Sequence, residues 1–395
     1  MASHRWFDLG GDEVFWPAAL VVLALSTGAC AMEVGDSEQI IDDPSAEVGS
    51  GDLEVACPVP ARTISPLVGR VYDAPAPSTN GTALRTFLQS VPNGSAASPS
   101  IVRLRAGATY TTSVSLTLTN RSFITIDGRG ALIRSTNTSP NRSVFSFASG
   151  SSLSLYNVDL SADVSGTVEQ GHGVALRGVQ GFYSSGVRVF TVKDDGFWIG
   201  FNPALASRPQ STNVLLENFT TCTTQRHGLS VVGGSGVTIR RGLIDKSSTT
   251  VGVPIDLEPL NGDHDVARNI VIEEMTFGAY PTPGTRSTVQ ANGFNVSDVT
   301  IRNSRTVGAY FTRDGRSFGA PFLVSFNQTG YQRWARFRVL GNTSDPASPL
   351  RVAFVRAKQL DGIEVGSNRA RFGGTASWLS ASSCTGINVH DNAVF

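Results

Sequence analysis

The sequence predicts an all-β solenoid in which short strands from successive coils stack side by side. Three observations predict it. Only 16% of the 395 residues are charged, and the chain is rich in Ser, Thr, Asn, Val and Ile with 41 glycines, which favours strands and tight turns over helices. Two strand series interleave along the chain at fairly regular spacing. No stretch from residue 70 onward reads as a linker, so one elongated domain is expected in place of the two that the length allows.

The opening residues stand apart. Val14 to Leu25 is an apolar run too short to span a membrane and suited to the core of a signal peptide. Small residues precede Cys30, as at a lipoprotein cleavage site, so a lipid anchor at Cys30 is one alternative and simple cleavage the other. The domain reading is a signal peptide over 1–30, a disordered acidic tether over 31–66 and the solenoid over 67–395. The expected location is outside the cytoplasm: extracellular, at the outer surface or periplasmic. Residues 1–50 hold one basic residue, Arg5, and nine acidic ones, so a net charge of +0 hides a body of about +8. That body suits an anionic polymer. Nucleic acid is not expected, because no dense Arg/Lys run alternates with aromatics. The cysteines Cys30, Cys57, Cys222 and Cys384 lack metal-ligand spacing. A disulfide from Cys57 to another cysteine and a simply buried Cys222 both remain open.

Ala83, Leu84, Phe87 and Leu88 suit one face of a short helix after Asn80-Gly81. Strand patterns follow at Ile101–Leu104, Phe123–Ile126 and Ala131–Ile133. The first series then reads Leu153-Ser-Leu, Val187-Arg-Val, Val214-Leu-Leu, Val237-Thr-Ile, Ile270-Val-Ile and Val299-Thr-Ile. The second opens on glycine: Gly173-Val-Ala-Leu, Gly196-Phe-Trp-Ile, Gly228-Leu-Ser-Val, Gly252-Val-Pro-Ile and Gly293-Phe-Asn-Val. Alternation points Phe197, Ile199, Leu229, Val231, Val253, Ile255 and Leu257 inward. Longer insertions at 201–211 and 278–291 are expected to stand over one face. Val339–Asn342 and Ile387–Val389 carry the coils to the C-terminus.

Aligning the glycine-led strands sets His172, Asp195 and His227 in one column, with Asp194 and Arg226 one position earlier. The outward columns then read Ala175, Trp198, Ser230, Pro254, Asn295 and Arg177, Gly200, Val232, Asp256, Ser297. Asp194 and Asp195 have a plain alternative reading as a turn, since Asp-Gly is a common turn pair. His227 has one as a satisfied stacking residue. Asp256 and Glu258 have one as partners of arginines such as Arg177. Trp198 is either an outward sugar platform or a residue packed beneath the 201–211 loop. Asp263-His264-Asp265 reads as solvated loop.

The helix followed by coils resembles the opening segment of right-handed parallel β-helix proteins of the pectin-lyase-like superfamily. The predicted fold is therefore all-β: a single-stranded right-handed parallel β-helix with a short N-terminal capping helix. Lys193-Asp194-Asp195-Gly196 with Arg226-His227-Gly228 resembles the Asp-Asp and Gly-His-Gly motifs of polygalacturonase-type glycoside hydrolases. The resemblance implies acid and base carboxylates supported by a histidine. Gly171-His172-Gly173 stands where that family has Asn-Thr-Asp, and Pro254-Ile255-Asp256 where it has Arg-Ile-Lys. Arg226-His227-Gly228 is also similar to a segment of alginate C5-epimerases, which implies proton abstraction beside a neutralised carboxylate.

The expectation is an enzyme that cleaves an acidic, uronate-containing polysaccharide by hydrolysis or β-elimination. Its catalytic candidates are Asp194, Asp195, His227, Arg226 and Asp256, and its substrate-binding candidates His172, Arg177, Lys193, Trp198 and Glu258. No metal-ligating set is assigned, and no cofactor is required, although aspartates near a uronate groove suit Ca²⁺. The competing class is a non-enzymatic surface β-helix that binds glycans or acts as an adhesin.

Overall fold

The computed structural model describes residues 57–62, 68–78, 80–136, 142–163, 171–245, 252–260, 265–278, 287–307, 322–327, 334–345, 349–350, 352–374 and 376–395. All belong to the unit Gly49–Phe395. The leader and most of the tether lie outside the described residues.

The chain is a right-handed parallel β-helix. Ten strands, from Leu116–Thr119 to Leu379–Ser382, stack in parallel as one wall. An eighteen-stranded parallel sheet supplies two more walls, because most coils bend between a longer and a shorter strand. One coil runs Phe197–Gly200, Ser211–Glu217, Thr220–Cys222, and then repeats. The bend falls on a left-handed residue in coil after coil: Asn157, Gly186, Asn218, Arg241, Glu274, Asn303, Gly341, Ser367 and Asp391 all have positive φ. Asn and Gly adopt that conformation at least cost, whereas Arg241 and Glu274 adopt it only because the stack demands it.

The second wall carries the column Ile124, Leu153, Phe182, Val214, Val237, Ile270, Val299, Phe337, Ile363 and Ile387. Val187-Arg188-Val189, expected in this series, instead leads into the third wall, where Arg188 stacks between Asp159 and Thr220. The coil's true member, Phe182-Tyr183-Ser184, lacks the aliphatic signature of its neighbours. Outside the second wall, like positions carry alternating charge. Arg240 pairs with Glu217 at 2.8 Å and lies 4.0 Å from Glu273, which pairs with Arg302 at 2.6 Å. Arginines of the body are thereby held in ladders between coils.

The capping helix spans Thr82–Ser90 and buries Leu84 and Leu88, with Phe87 half-buried and Ala83 exposed. It seals the apolar cross-section that an unended solenoid would leave open. At the other end a ladder of amides runs through the interior. Ser304 N–H donates to Asn342 Oδ1 at 3.0 Å, Asn342 Nδ2 donates to Asn368 Oδ1 at 3.1 Å, and Asn368 Nδ2 donates to Asn392 Oδ1 at 2.9 Å. The same side chains serve the backbone carbonyls of Ile301, Val339 and Val365.

The end of the expected tether is fastened down. Cys57 forms a disulfide with Cys222, Arg188 donates to the Cys57 carbonyl at 3.0 Å, and Arg62 pairs with Asp159 at 2.7 Å. Cys384, the other described cysteine, is free. Replacing Asn368 by Ala strands buried partners on both neighbouring coils. The expected loss is about 1–3 kcal/mol, read as a lower denaturant midpoint at unchanged slope.

Candidate active site

The charged candidates gather at the turns that lead into the ten-stranded wall. Each turn ends on a glycine, and close approach explains why. A Cβ on Gly173, Gly196 or Gly228 would lie 2.2 Å from Val189, 2.5 Å from the Gly228 carbonyl, or 2.3 Å from Ile244. None of the three has positive φ. Asp194-Asp195-Gly196 is thus not a left-handed turn; its glycine lets one coil lie against the next.

The column His172, Asp195, His227 forms as the strand register requires: Phe197 pairs with Val174 on one side and Leu229 on the other. The next coil differs from expectation. Ser230 stacks on Asp256 and Leu229 on Ile255, so the outward column reads Ala175, Trp198, Ser230, Asp256, Gln290. Pro254 and Asn295 do not belong to it. Gly252 occupies a turn of positive φ before the strand, and Val289–Ala291, inside the expected 278–291 insertion, supplies the following rung. The shift is two residues. Because side chains alternate with period two, Ile255 and Leu257 remain in the core and Asp256 remains outside. It does bring Asp256 one position closer to the aspartates.

The result is a compact polar cluster. Asp194, Asp195, His172, Asp256 and Lys193 are all at most 4% exposed. The His227 backbone N–H donates to Asp195 Oδ1 at 3.0 Å, tying the second aspartate to the next turn. His227 Nδ1 accepts from the Val253 N–H at 3.0 Å, which leaves the ring proton on Nε2, 3.3 Å from Asp256 Oδ2. His172 Nδ1 lies 3.4 Å from Asp194 Oδ2 and 3.6 Å from Asp195 Oδ2. The partly exposed pair Arg226–Glu258, at 2.9 Å, forms the rim.

Burial sets the protonation states. It drives Asp256 well above the ordinary carboxylate value, and Glu258 adds to the rise while Arg226 opposes it. Asp195 is raised by burial against the pull of Arg226 and the His227 N–H. His172 is pushed well below 6.5 by burial, then by Arg177 and Arg226, so it is neutral at physiological pH. Burial also works against the Arg226 charge, but Asp195, Asp194, Glu258 and Asp256 outweigh it and hold the guanidinium protonated.

The remaining candidates surround this centre. Trp198 points out of the sheet but is covered. It stacks on His172 at 5.6 Å, lies flat over Gly200, and meets Phe201 edge-on, with Arg177 5.0 Å from its ring. With Ala175, Val232 and Leu260 it makes a small apolar core outside the coil. The 201–211 loop closes over it through a Phe201–Gln210 bridge and a pair at 2.9 Å between the half-buried Arg208 and the buried Asp265. Asp265, expected to be solvated, is fully buried, and Asp263 and His264 lie outside the described residues. The Lys193 ammonium is buried with no hydrogen-bond partner, and burial lowers its pKa. Ser230 was not among the expected site residues. Its hydroxyl is buried between Trp198 and Asp256, a place that the outward column marks, and it helps to hold the Asp195 charge. His172, Asp194 and Asp195 together present one nitrogen and two oxygens within 4.8 Å of one another, a set able to hold a metal ion.

No family model matches the chain, and no curated protein matches it. Solved structures do. PfbA, a surface adhesin of Streptococcus pneumoniae, matches with a TM-score of 0.50 at 10% identity, over 80% of this chain and 87% of that one. An alginate lyase from Paenibacillus sp. str. FPU-7 gives 0.45 at 13% identity, over 82% and 99%. A polygalacturonase from Erwinia carotovora ssp. carotovora gives 0.44 at 12% identity, over 85% and 100%. The fold shared with them is the parallel β-helix. At these identities the likeness extends to the fold alone.

Asp256 carries a stability consequence. Its pKa is higher folded than unfolded, so the folded state binds the extra proton. Stability is then lost as pH rises from the ordinary value of 3.8 toward the folded one. Asp256→Asn removes that loss. It is expected to raise stability near neutral pH by about 0.5–2 kcal/mol, with the gain vanishing below the ordinary carboxylate range, as thermal melts across pH would show.

Proposed function

We propose that this protein is an exported carbohydrate-active enzyme that hydrolyses a glycosidic bond in an acidic polysaccharide. The observation that carries the reading is the division of labour among its carboxylates. Burial raises the pKa of Asp256 well above the ordinary carboxylate value, two rungs from Asp195 and beside His227. A buried acid that holds its proton well above the ordinary carboxylate range is suited to give it to a leaving oxygen. In the proposed step Asp256 protonates the glycosidic oxygen as the bond to the anomeric carbon breaks. The Asp194–Asp195 pair takes a proton from the water that attacks that carbon. The His227 Nε2–H then faces the Asp256 carboxylate, and Arg226 balances the charge left on the cluster.

Hydrolysis is favoured over β-elimination by the state of His227. Its Nδ1 lone pair is taken by the Val253 N–H and its Nε2 faces Asp256, so it is not a free base. An anionic sugar is favoured by the buried Lys193 ammonium and by Arg226, which a uronate carboxylate would satisfy. Export is favoured by the Cys57–Cys222 disulfide, since such bonds persist in oxidising compartments. A lipid at Cys30 belongs to the same reading. The non-enzymatic alternative, a glycan-binding surface β-helix, draws on the near-complete burial of the carboxylates.

The test is a panel of uronate and neutral polysaccharides, scored for reducing ends and for the ultraviolet absorbance of unsaturated sugars. Reducing ends without absorbance are expected. Absorbance would replace hydrolysis with elimination, and binding with neither product would leave the adhesin reading. Asp195→Asn keeps an oxygen for the His227 N–H and so keeps the turn. It and Asp256→Asn are each expected to cut turnover by at least about 10²-fold with an unchanged circular dichroism spectrum.

A further inference from the structure

We propose that His172, Asp194 and Asp195 form a binding site for a first-row divalent cation of the Zn²⁺ type. The evidence is geometric. His172 Nδ1 is buried and makes no hydrogen bond, and the buried Asp195 Oδ2 lies 3.6 Å from it. Asp194 Oδ2 is 3.4 Å from the same nitrogen, and the ring is not oriented to donate to it. A nitrogen and two carboxylate oxygens thus converge with no hydrogen bond joining the ring to either acid. Two ligands each about 2.0–2.2 Å from a tetrahedral ion stand about 3.3–3.6 Å apart. The two measured edges, 3.4 and 3.6 Å, have that length.

The donor set also selects the ion. One imidazole with two carboxylates suits Zn²⁺ or Co²⁺, whereas Ca²⁺ and Mg²⁺ prefer oxygen throughout. His172 is stacked on Trp198, which fixes the ring plane. Arg226 opposes a cation here, and Asp194, Asp195 and Glu258 supply the opposing negative charge. Three protein ligands leave a fourth position for water or a sugar hydroxyl. A bound ion takes the oxygens that the proposed base uses, so it acts as an inhibitor of hydrolysis.

Titrating the full chain with Co²⁺ tests the site without any turnover assay. One ion per chain by calorimetry, with the visible absorption of tetrahedral Co²⁺, is expected. His172→Ala and Asp194→Asn should each abolish the band while leaving the circular dichroism unchanged. No uptake by the unaltered protein overturns the proposal, as does uptake retained by either variant. With sugar release assayed on the metal-free protein, the two readings fail separately: release by a protein that never gives the band overturns the cation site alone, and the band from a protein that shows no release when metal-free overturns hydrolysis alone.

Discussion

The structure depends on one constraint: in a parallel stack, equivalent residues of successive coils sit one strand spacing apart, about 4.8 Å. Whatever a column holds, it holds beside its own kind. Apolar columns gain from this, and amide columns gain too, as Asn342, Asn368 and Asn392 show by bonding to one another in a row. Charged columns cannot. Outside the second wall the problem is met by alternation, with Glu217, Arg240, Glu273 and Arg302 in sequence. The candidate site is where acids crowd without such alternation. Asp195 lies between two histidines, Asp194 adjoins it, and Asp256 follows two coils later.

Crowded acids out of water cannot all stay ionised, and that is the chemical asset of the arrangement. The field of Arg226 and the loss of solvent pull in opposite directions on Asp195 and Asp256, and the balance differs at each. Trp198 and the 201–211 loop keep the dielectric low above the cluster. The same features make the cluster a poor contributor to stability, as expected where a site rather than a core is being maintained.

The coil architecture was legible because its signal is repeated many times over. The capping helix was legible from the stripe Ala83, Leu84, Phe87 and Leu88, of which the helix buries Leu84 and Leu88. What failed was register, and in each case a local feature outweighed the pattern. Gly252 looked like another strand-opening glycine but serves a left-handed turn, and Phe182-Tyr183-Ser184 hid a core position behind an unremarkable sequence. A better marker was present: the bend column running Asn157, Gly186, Asn218, Asn303 and Gly341 repeats once per coil. It escaped notice because Arg241 and Glu274 interrupt it. The site residues themselves were found by their chemistry. Their burial was not, because cover depends on how the 201–211 loop folds back, and nothing in the strand pattern specifies that.

The Cys57–Cys222 bond has a further implication for how such a stack comes apart. A solenoid behaves as a row of neighbours and opens most easily by peeling from an end. Here the bond joins positions 165 residues apart and ties the segment before the first coil to the third wall well inside the stack. The N-terminal coils are enclosed in a covalent loop and cannot be shed singly. At the other end Ile387, Val389, Val394 and Phe395 stand partly in solvent. Unravelling from the N-terminal side is thereby barred, and any that runs inward from the far side reaches the carboxylate cluster only after the amide ladder has been broken.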